Sequence, residues 1–111
     1  MVAAAHFDDE VTQGNDYSLT VTFVDDNGAA LDVSNQTFTG AVREVDNGPV
    51  LAEHDINDTG AATGVVVFTI PGADTDDFPE RTVYDLWMTD SEAFTFMRGD
   101  LIVPRRRWVG P

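Results

Sequence analysis

The stretch from Gln13 to Asp25 constrains the fold most. Tyr17, Leu19, Val21 and Phe23 alternate with Ser18, Thr20 and Thr22. A period of two puts the apolar side chains on one face of a strand and the hydroxyls on the other. Such a strand is stable only against a second apolar layer. Asp25-Asp26-Asn27-Gly28 closes the run with turn chemistry.

The same grammar continues along the chain. Residues 3–7 form a first short segment, read as an extended arm or edge strand. Residues 17–24 are the strand just described, and a short apolar piece surrounds Leu31-Asp32-Val33. Residues 37–45 read as a strand with Phe38 and Val42 on one face and Thr39 and Arg43 on the other. Asp46-Asn47-Gly48 is a strong hairpin signal, so residues 50–56 are expected to pair with the preceding strand. Residues 64–70, G-V-V-V-F-T-I, are nearly continuous in apolar character and predict a strand buried on both sides. Residues 73–78 hold the one candidate for a helical turn, with Asp74, Asp76 and Asp77 near its positive end and Pro79 stopping it. Residues 82–89 alternate again, Asp90-Ser91-Glu92 turns, and residues 93–103 form the last strand, with a bulge expected at Gly99. About seven strands with turn signals every ~8–12 residues predict a single all-β domain, an antiparallel β-sandwich of immunoglobulin-like type. The expected division is an arm or edge strand over 1–12, the sandwich over 13–104, and a basic, aromatic tail over 105–111.

Composition bounds the chemistry. The chain has 111 residues, 42% of them hydrophobic, enough for one core. It has no cysteine, so neither a disulfide nor a thiol contributes. No apolar run approaches the ~20 residues that span a bilayer, and Met1-Val2-Ala3-Ala4-Ala5-His6 lacks the basic and apolar regions of a secretory signal. Twenty acidic residues oppose six basic ones, all arginine, for a formal net charge of −14. Such a surface repels nucleic acid. Its self-repulsion weakens as salt screens it, which fits a halophilic or marine habitat; a genome biased toward Asp and Arg codons gives the same composition. Half of the positive charge sits in Arg105-Arg106-Arg107, followed by Trp108.

Candidate catalytic and metal patterns are incomplete. A calcium-binding EF-hand loop starting at Asp74 requires Gly at its sixth place and Glu at its twelfth, where this chain has Pro79 and Asp85. His6 and His54 are too few for a histidine-rich metal site. Ser18, Ser34 and Ser91 lack a nucleophile elbow. The strand carboxylates Asp85 and Asp100 are positioned to face each other, as chance pairing among twenty acids provides. There is no phosphate-binding loop and no lysine to serve one. Arg98-Gly99-Asp100 interrupts a strand, whereas adhesion tripeptides sit on exposed loops. No cofactor and no metal site is expected.

The order of pieces resembles the small immunoglobulin-like domain of tailed-virus structural proteins, such as the N-terminal domain of phage baseplate upper proteins. The residues that carry the resemblance are Gly14-Asn15-Asp16-Tyr17-Ser18-Leu19-Thr20-Val21-Thr22-Phe23, Asp26-Asn27-Gly28 with Leu31-Asp32-Val33, Thr39-Gly40-Ala41-Val42-Arg43-Glu44, Val83-Tyr84-Asp85-Leu86, and Arg98-Gly99-Asp100-Leu101-Ile102-Val103-Pro104. The resemblance implies a virion protein without enzymatic activity, an adaptor between tail or baseplate subunits that is multimeric within the particle. Its partners are other virion proteins, not nucleic acid or membrane. A capsid decoration protein is the alternative of the same class. The sequence departs from the family by stopping after the sandwich, where a coiled coil or receptor-binding module follows in the family. Arginine and tryptophan favour interfaces, and uncovered edge strands invite pairing. The expected contact residues are therefore Ala3, Ala4, Ala5, His6 and Phe7 at one end, and Arg105, Arg106, Arg107 and Trp108 at the other. A module binding carbohydrate or calcium, resting on Trp87, Trp108 and the acidic loop 74–77, is the reading from a different class.

Overall fold

In a computed structural model, the structure describes residues 5–89 and 93–105. Nine strands occur among them: β1 (Ala5–His6), β2 (Asp9–Glu10), β3 (Tyr17–Thr22), β4 (Thr37–Arg43), β5 (Val50–Glu53), β6 (Asp55–Asn57), β7 (Val65–Ile70), β8 (Arg81–Thr89) and β9 (Ala93–Ile102). The expected strands over 17–24, 37–45, 64–70, 82–89 and 93–103 correspond to β3, β4, β7, β8 and β9, the expected arm or edge strand over 3–7 contains β1, and the expected strand over 50–56 is divided between β5 and β6. One turn of α-helix, α1 (Gly72–Thr75), lies where the acidic run predicts it, and a 3-10 turn over Ala61–Thr63 is not predicted by the sequence pattern.

The strands divide into two sheets. One has the order β1-β9-β8-β4-β5, with β2 also on β9; the other has the order β3-β7-β6. In immunoglobulin lettering these are A′-G-F-C-C′ and B-E-D, the two faces of an immunoglobulin-like sandwich. Tyr17, Val21, Val66, Phe68 and Ile70 from the small sheet meet Phe38, Val42, Tyr84, Leu86, Phe96 and Leu101 from the large one, all buried. Aromatic rings join the layers. Phe68 of the small sheet stands edge-on to Phe38 at 6.3 Å and lies 6.1 Å from Phe96, while Phe23 approaches Phe96 at 5.2 Å. Such pairs each contribute about 0.5–1.5 kcal/mol beyond area burial. With no disulfide across the sandwich, this core holds the sheets together.

The structure corrects four expectations. The sandwich is not wholly antiparallel, because β1 and β2 run parallel to β9. The strand over 64–70 is buried on one face only: Val66, Phe68 and Ile70 are inaccessible, whereas Val65, Val67 and Thr69 are partly exposed. Valine's β-branched shape, rather than two-sided burial, accounts for that apolar run. Residues 50–56 are not one strand. β5 pairs with β4 in the large sheet, β6 pairs with β7 in the small one, and the chain crosses between them at His54. Finally, the irregularity in β9 is not at Gly99. Gly99 stays in register with Tyr84, and the ladder shifts three residues away, at Phe96, where Leu86 and Trp87 face Met97 and Thr95.

Gly99 has a different reason to be glycine. A Cβ there would collide with the carbonyl oxygen of Phe7, and Asp8 Oδ1 would lie 3.1 Å away. The N-terminal segment thus lies directly on β9. Phe7 N donates to Arg98 O at 2.9 Å and Val11 N to Ile102 O at 3.0 Å. Tyr84 Oη donates to Phe7 O at 2.5 Å, and Tyr17 Oη donates to Asp9 Oδ2 at 2.8 Å. Burial and the neighbouring carboxylate push the Tyr17 phenol well above its ordinary pKa, so it stays a donor. Gly99→Ala is expected to cost about 1–3 kcal/mol, the range for overpacking a filled site. Ser18→Ala on an exposed face should stay within about 0.5 kcal/mol. Urea unfolding of both variants measures the difference.

Candidate interface at the open sheet edge

Among the described residues, the large sheet ends at one side on the two-residue strands β1 and β2 and at the other on β5. β5 is short, and its exposed apolar side chains are Val50 (46% exposed) and Leu51 (42%), with Val45 (60%) just before it. Local chemistry builds this edge. Gly48 N donates to Val45 O at 2.9 Å, closing a turn whose third residue, Asn47, has φ of 63°. Asparagine tolerates that left-handed backbone. Arg43 then braces the loop from below: its Nε donates to Gly48 O at 3.0 Å and its Nη1 to Asp85 Oδ1 at 2.9 Å. Both side chains are only partly exposed, so the pair is better shielded from water than a surface ion pair.

The register between β4 and β5 slips at this point. Ala52 faces Val42 and Val50 faces Arg43, which leaves Leu51 without an opposite residue. A bulge of this kind re-aims a side chain on an edge strand, and Leu51 is turned outward by it. Glu44, Asp46 and Glu53, all exposed, flank the apolar residues. The edge therefore carries a small apolar patch in an acidic setting, with backbone donors and acceptors open to a further strand.

The sequence-predicted site residues fall as follows. Ala5 and His6 form β1 and are hydrogen-bonded along β9; Phe7 keeps its side chain 42% exposed while its backbone is held by Arg98 and Tyr84. His6 Nε2 lies 2.9 Å from Asp8 Oδ1. Arg105 folds back, donating from Nη2 to Phe78 O and Val103 O, each at 2.9 Å. Ala3, Ala4, Arg106, Arg107 and Trp108 lie outside the described residues, as does the turn at 90–92. Of these residues, Ala5 and His6 lie on β1, at the opposite end of the large sheet's strand order from β5.

Other candidates occupy structural places. The loop with Asp74, Asp76 and Asp77 is clamped to residues 13–16. Gly72 N donates to Asp16 Oδ1 at 2.7 Å, Gly14 N to Thr75 Oγ1 at 3.1 Å, and Gln13 Nε2 to Asp76 O at 2.9 Å. Among the described residues, no group of three or more histidines and carboxylates is placed to hold a metal. Asp85 and Asp100 share the outer face of the large sheet, opposite Arg98 and Val83 respectively. With His6 and Asp46 they line an open hollow of about 170 Å³. Trp87 stands on the same face between Thr39 and Thr95. His54 is buried in the core.

Sequence reasoning found the Asp46-Asn47-Gly48 turn but missed Val45, Val50 and Leu51 as surface residues. Only the order of strands in the large sheet decides that their strand is an edge.

Comparison with known proteins adds little chemistry. No protein-family model matches the chain, and no curated protein matches its sequence. Among solved structures it is similar to Tim-1, which it matches over 98% of this chain and 99% of that one, at 11% identity and a TM-score of 0.41. The immunoglobulin-like assignment rests on the strand orders themselves.

If the β5 edge is surface for another molecule, it is dispensable for folding. The double variant Val50→Lys, Leu51→Lys is expected to keep its unfolding free energy within about 0.5 kcal/mol of the parent. Thermal and urea unfolding check this.

Proposed function

We propose that this chain is a non-enzymatic structural module of a tailed-virus particle, a sandwich that docks between neighbouring tail or baseplate subunits. The observation that carries the docking half of this reading is the β5 edge, which pairs with no strand beyond it among the described residues and exposes Val45, Val50 and Leu51. The virion half rests on the resemblance carried by the motifs at 14–23, 39–44, 83–86 and 98–104.

Docking here is strand addition. An extended segment from the neighbour pairs with β5 through main-chain hydrogen bonds, and the apolar side chains select its alternate residues. Charge chooses the partner. Two copies of this edge would bring Glu44, Asp46 and Glu53 against each other, within chains of net charge −14. A neighbour with basic residues beside its strand gains attraction and correct register instead. The two ends of the chain act as secondary contacts: the exposed Phe7 side chain at one, and Arg105, Arg106, Arg107 and Trp108 at the other, the latter suited to an acidic neighbour. A particle that repeats this contact by symmetry holds the module in several copies.

The test is electron cryomicroscopy of purified particles assembled while a labelled copy of the chain is expressed. Label on the tail or baseplate, lost when β5 carries Val50→Lys and Leu51→Lys, is the expected result. Particles free of the label, or label confined to the head shell, would overturn the assignment.

A further inference from the structure

We propose that His54 is an acid-sensitive latch: adding a proton to its ring loosens the crossover that ties β5 in the large sheet to β6 in the small one. The proposal goes beyond docking and does not depend on what β5 binds.

His54 is the single residue between β5 and β6, so it is where the chain passes from one layer to the other. Its backbone N donates to Gly40 O at 2.8 Å, which fixes the crossover against β4. Its ring points inward and is 6% exposed. Phe68 of β7 meets it edge-on at 6.0 Å, and Tyr84 of β8 lies 6.4 Å away. The space for the ring exists because residue 40 is glycine: a Cβ there would sit 2.6 Å from His54 Nδ1 and 2.7 Å from Leu86 Cδ2. Both ring nitrogens are buried, and neither meets a partner in good hydrogen-bond geometry among the described residues; the Gly40 carbonyl favours the charged ring less than burial opposes it.

A neutral imidazole so placed forgoes well-formed hydrogen bonds; a charged one forgoes them and its hydration as well. The ionisable groups around it are Asp85 and Tyr84 on β8, Asp55 on β6, and Glu53 on β5. β4 and β7 present Gly40 and Phe68 to the ring. Burial pushes the His54 pKa below the ordinary imidazole value; the Gly40 carbonyl and the carboxylates of Asp85 and Asp55 pull the other way without cancelling it. The sign follows. The unfolded chain, with an ordinary imidazole, binds the proton that the folded chain refuses. Stability is intact above the unfolded pKa of about 6.5 and falls as pH drops below it.

Two measurements on the intact chain test this. In urea unfolding, the unfolding equilibrium constant is expected to rise about tenfold between pH 7.5 and pH 5.5, one proton being taken up on unfolding. For His54→Phe the rise should shrink to about twofold or less, since the linked proton is gone. An equal rise in parent and variant would overturn the proposal. Should the variant not fold, NMR of the unaltered protein decides. The expected result is a His54 ring that stays neutral in the folded state below pH 6, with backbone amides of residues 54–57 exchanging faster as pH falls once intrinsic rates are divided out. A ring that protonates within a folded chain at its ordinary pKa, with those amides unchanged, overturns it.

Discussion

The parallel seam between the N-terminal segment and β9 is the constraint on which the rest of this sandwich depends. It is locked at one point. The Phe7 carbonyl sits in the hollow left by Gly99 and accepts the Tyr84 hydroxyl proton from the neighbouring strand. Asp8 Oδ1 takes the Asp100 N–H at 2.8 Å, and Tyr17 reaches over from the small sheet to Asp9. Three strands and both sheets are thereby tied to a segment of a few residues. The seam also sets how the large sheet ends. On that side the sheet ends in two strands of two residues each, too short to template much pairing; on the other side it ends on β5, with no described strand beyond it. Position in the sheet order, more than any motif, makes β5 the candidate interface.

The core beneath this seam works without covalent support. Its aromatic rings come from β4, β7 and β9 and from Phe23 after β3, so no sheet forms its inner face alone. A domain of this size is stable by only about 5–15 kcal/mol, and here the excess of acidic charge works against folding. Burying an imidazole without a well-formed hydrogen bond at the crossover takes more from the same margin. A chain that spends stability at one buried position is sensitive there to solution conditions.

Much of the fold was legible from residue order. Alternation at 17–23 and at 82–88 placed β3 and β8 and their buried faces, and the Asp46-Asn47-Gly48 turn placed the β4–β5 hairpin. Those signals are local: a period of two and a residue that accepts positive φ. What failed was long-range. Gly99 looked like a bulge because a glycine inside a strand reads the same whether the ladder shifts or another backbone comes close; the backbone that comes close is ninety residues away in sequence. The run over 50–56 looked continuous because nothing local marks His54 as a change of layer. The interface was the least legible part. Val45, Val50 and Leu51 have ordinary core-like identities, and only the sheet order and the register slip at Val42/Arg43 put them on the surface.

Hydrogen–deuterium exchange on the isolated domain, read residue by residue, tests the claim of a tight N-terminal seam and an open β5 edge most directly. The account predicts that the Phe7 and Val11 amides, bonded to Arg98 O and Ile102 O, exchange as slowly as the β8–β9 ladder, while β5 amides that point away from β4 exchange near the unprotected rate. Fast exchange along residues 7–11 together with full protection of β5 would contradict it.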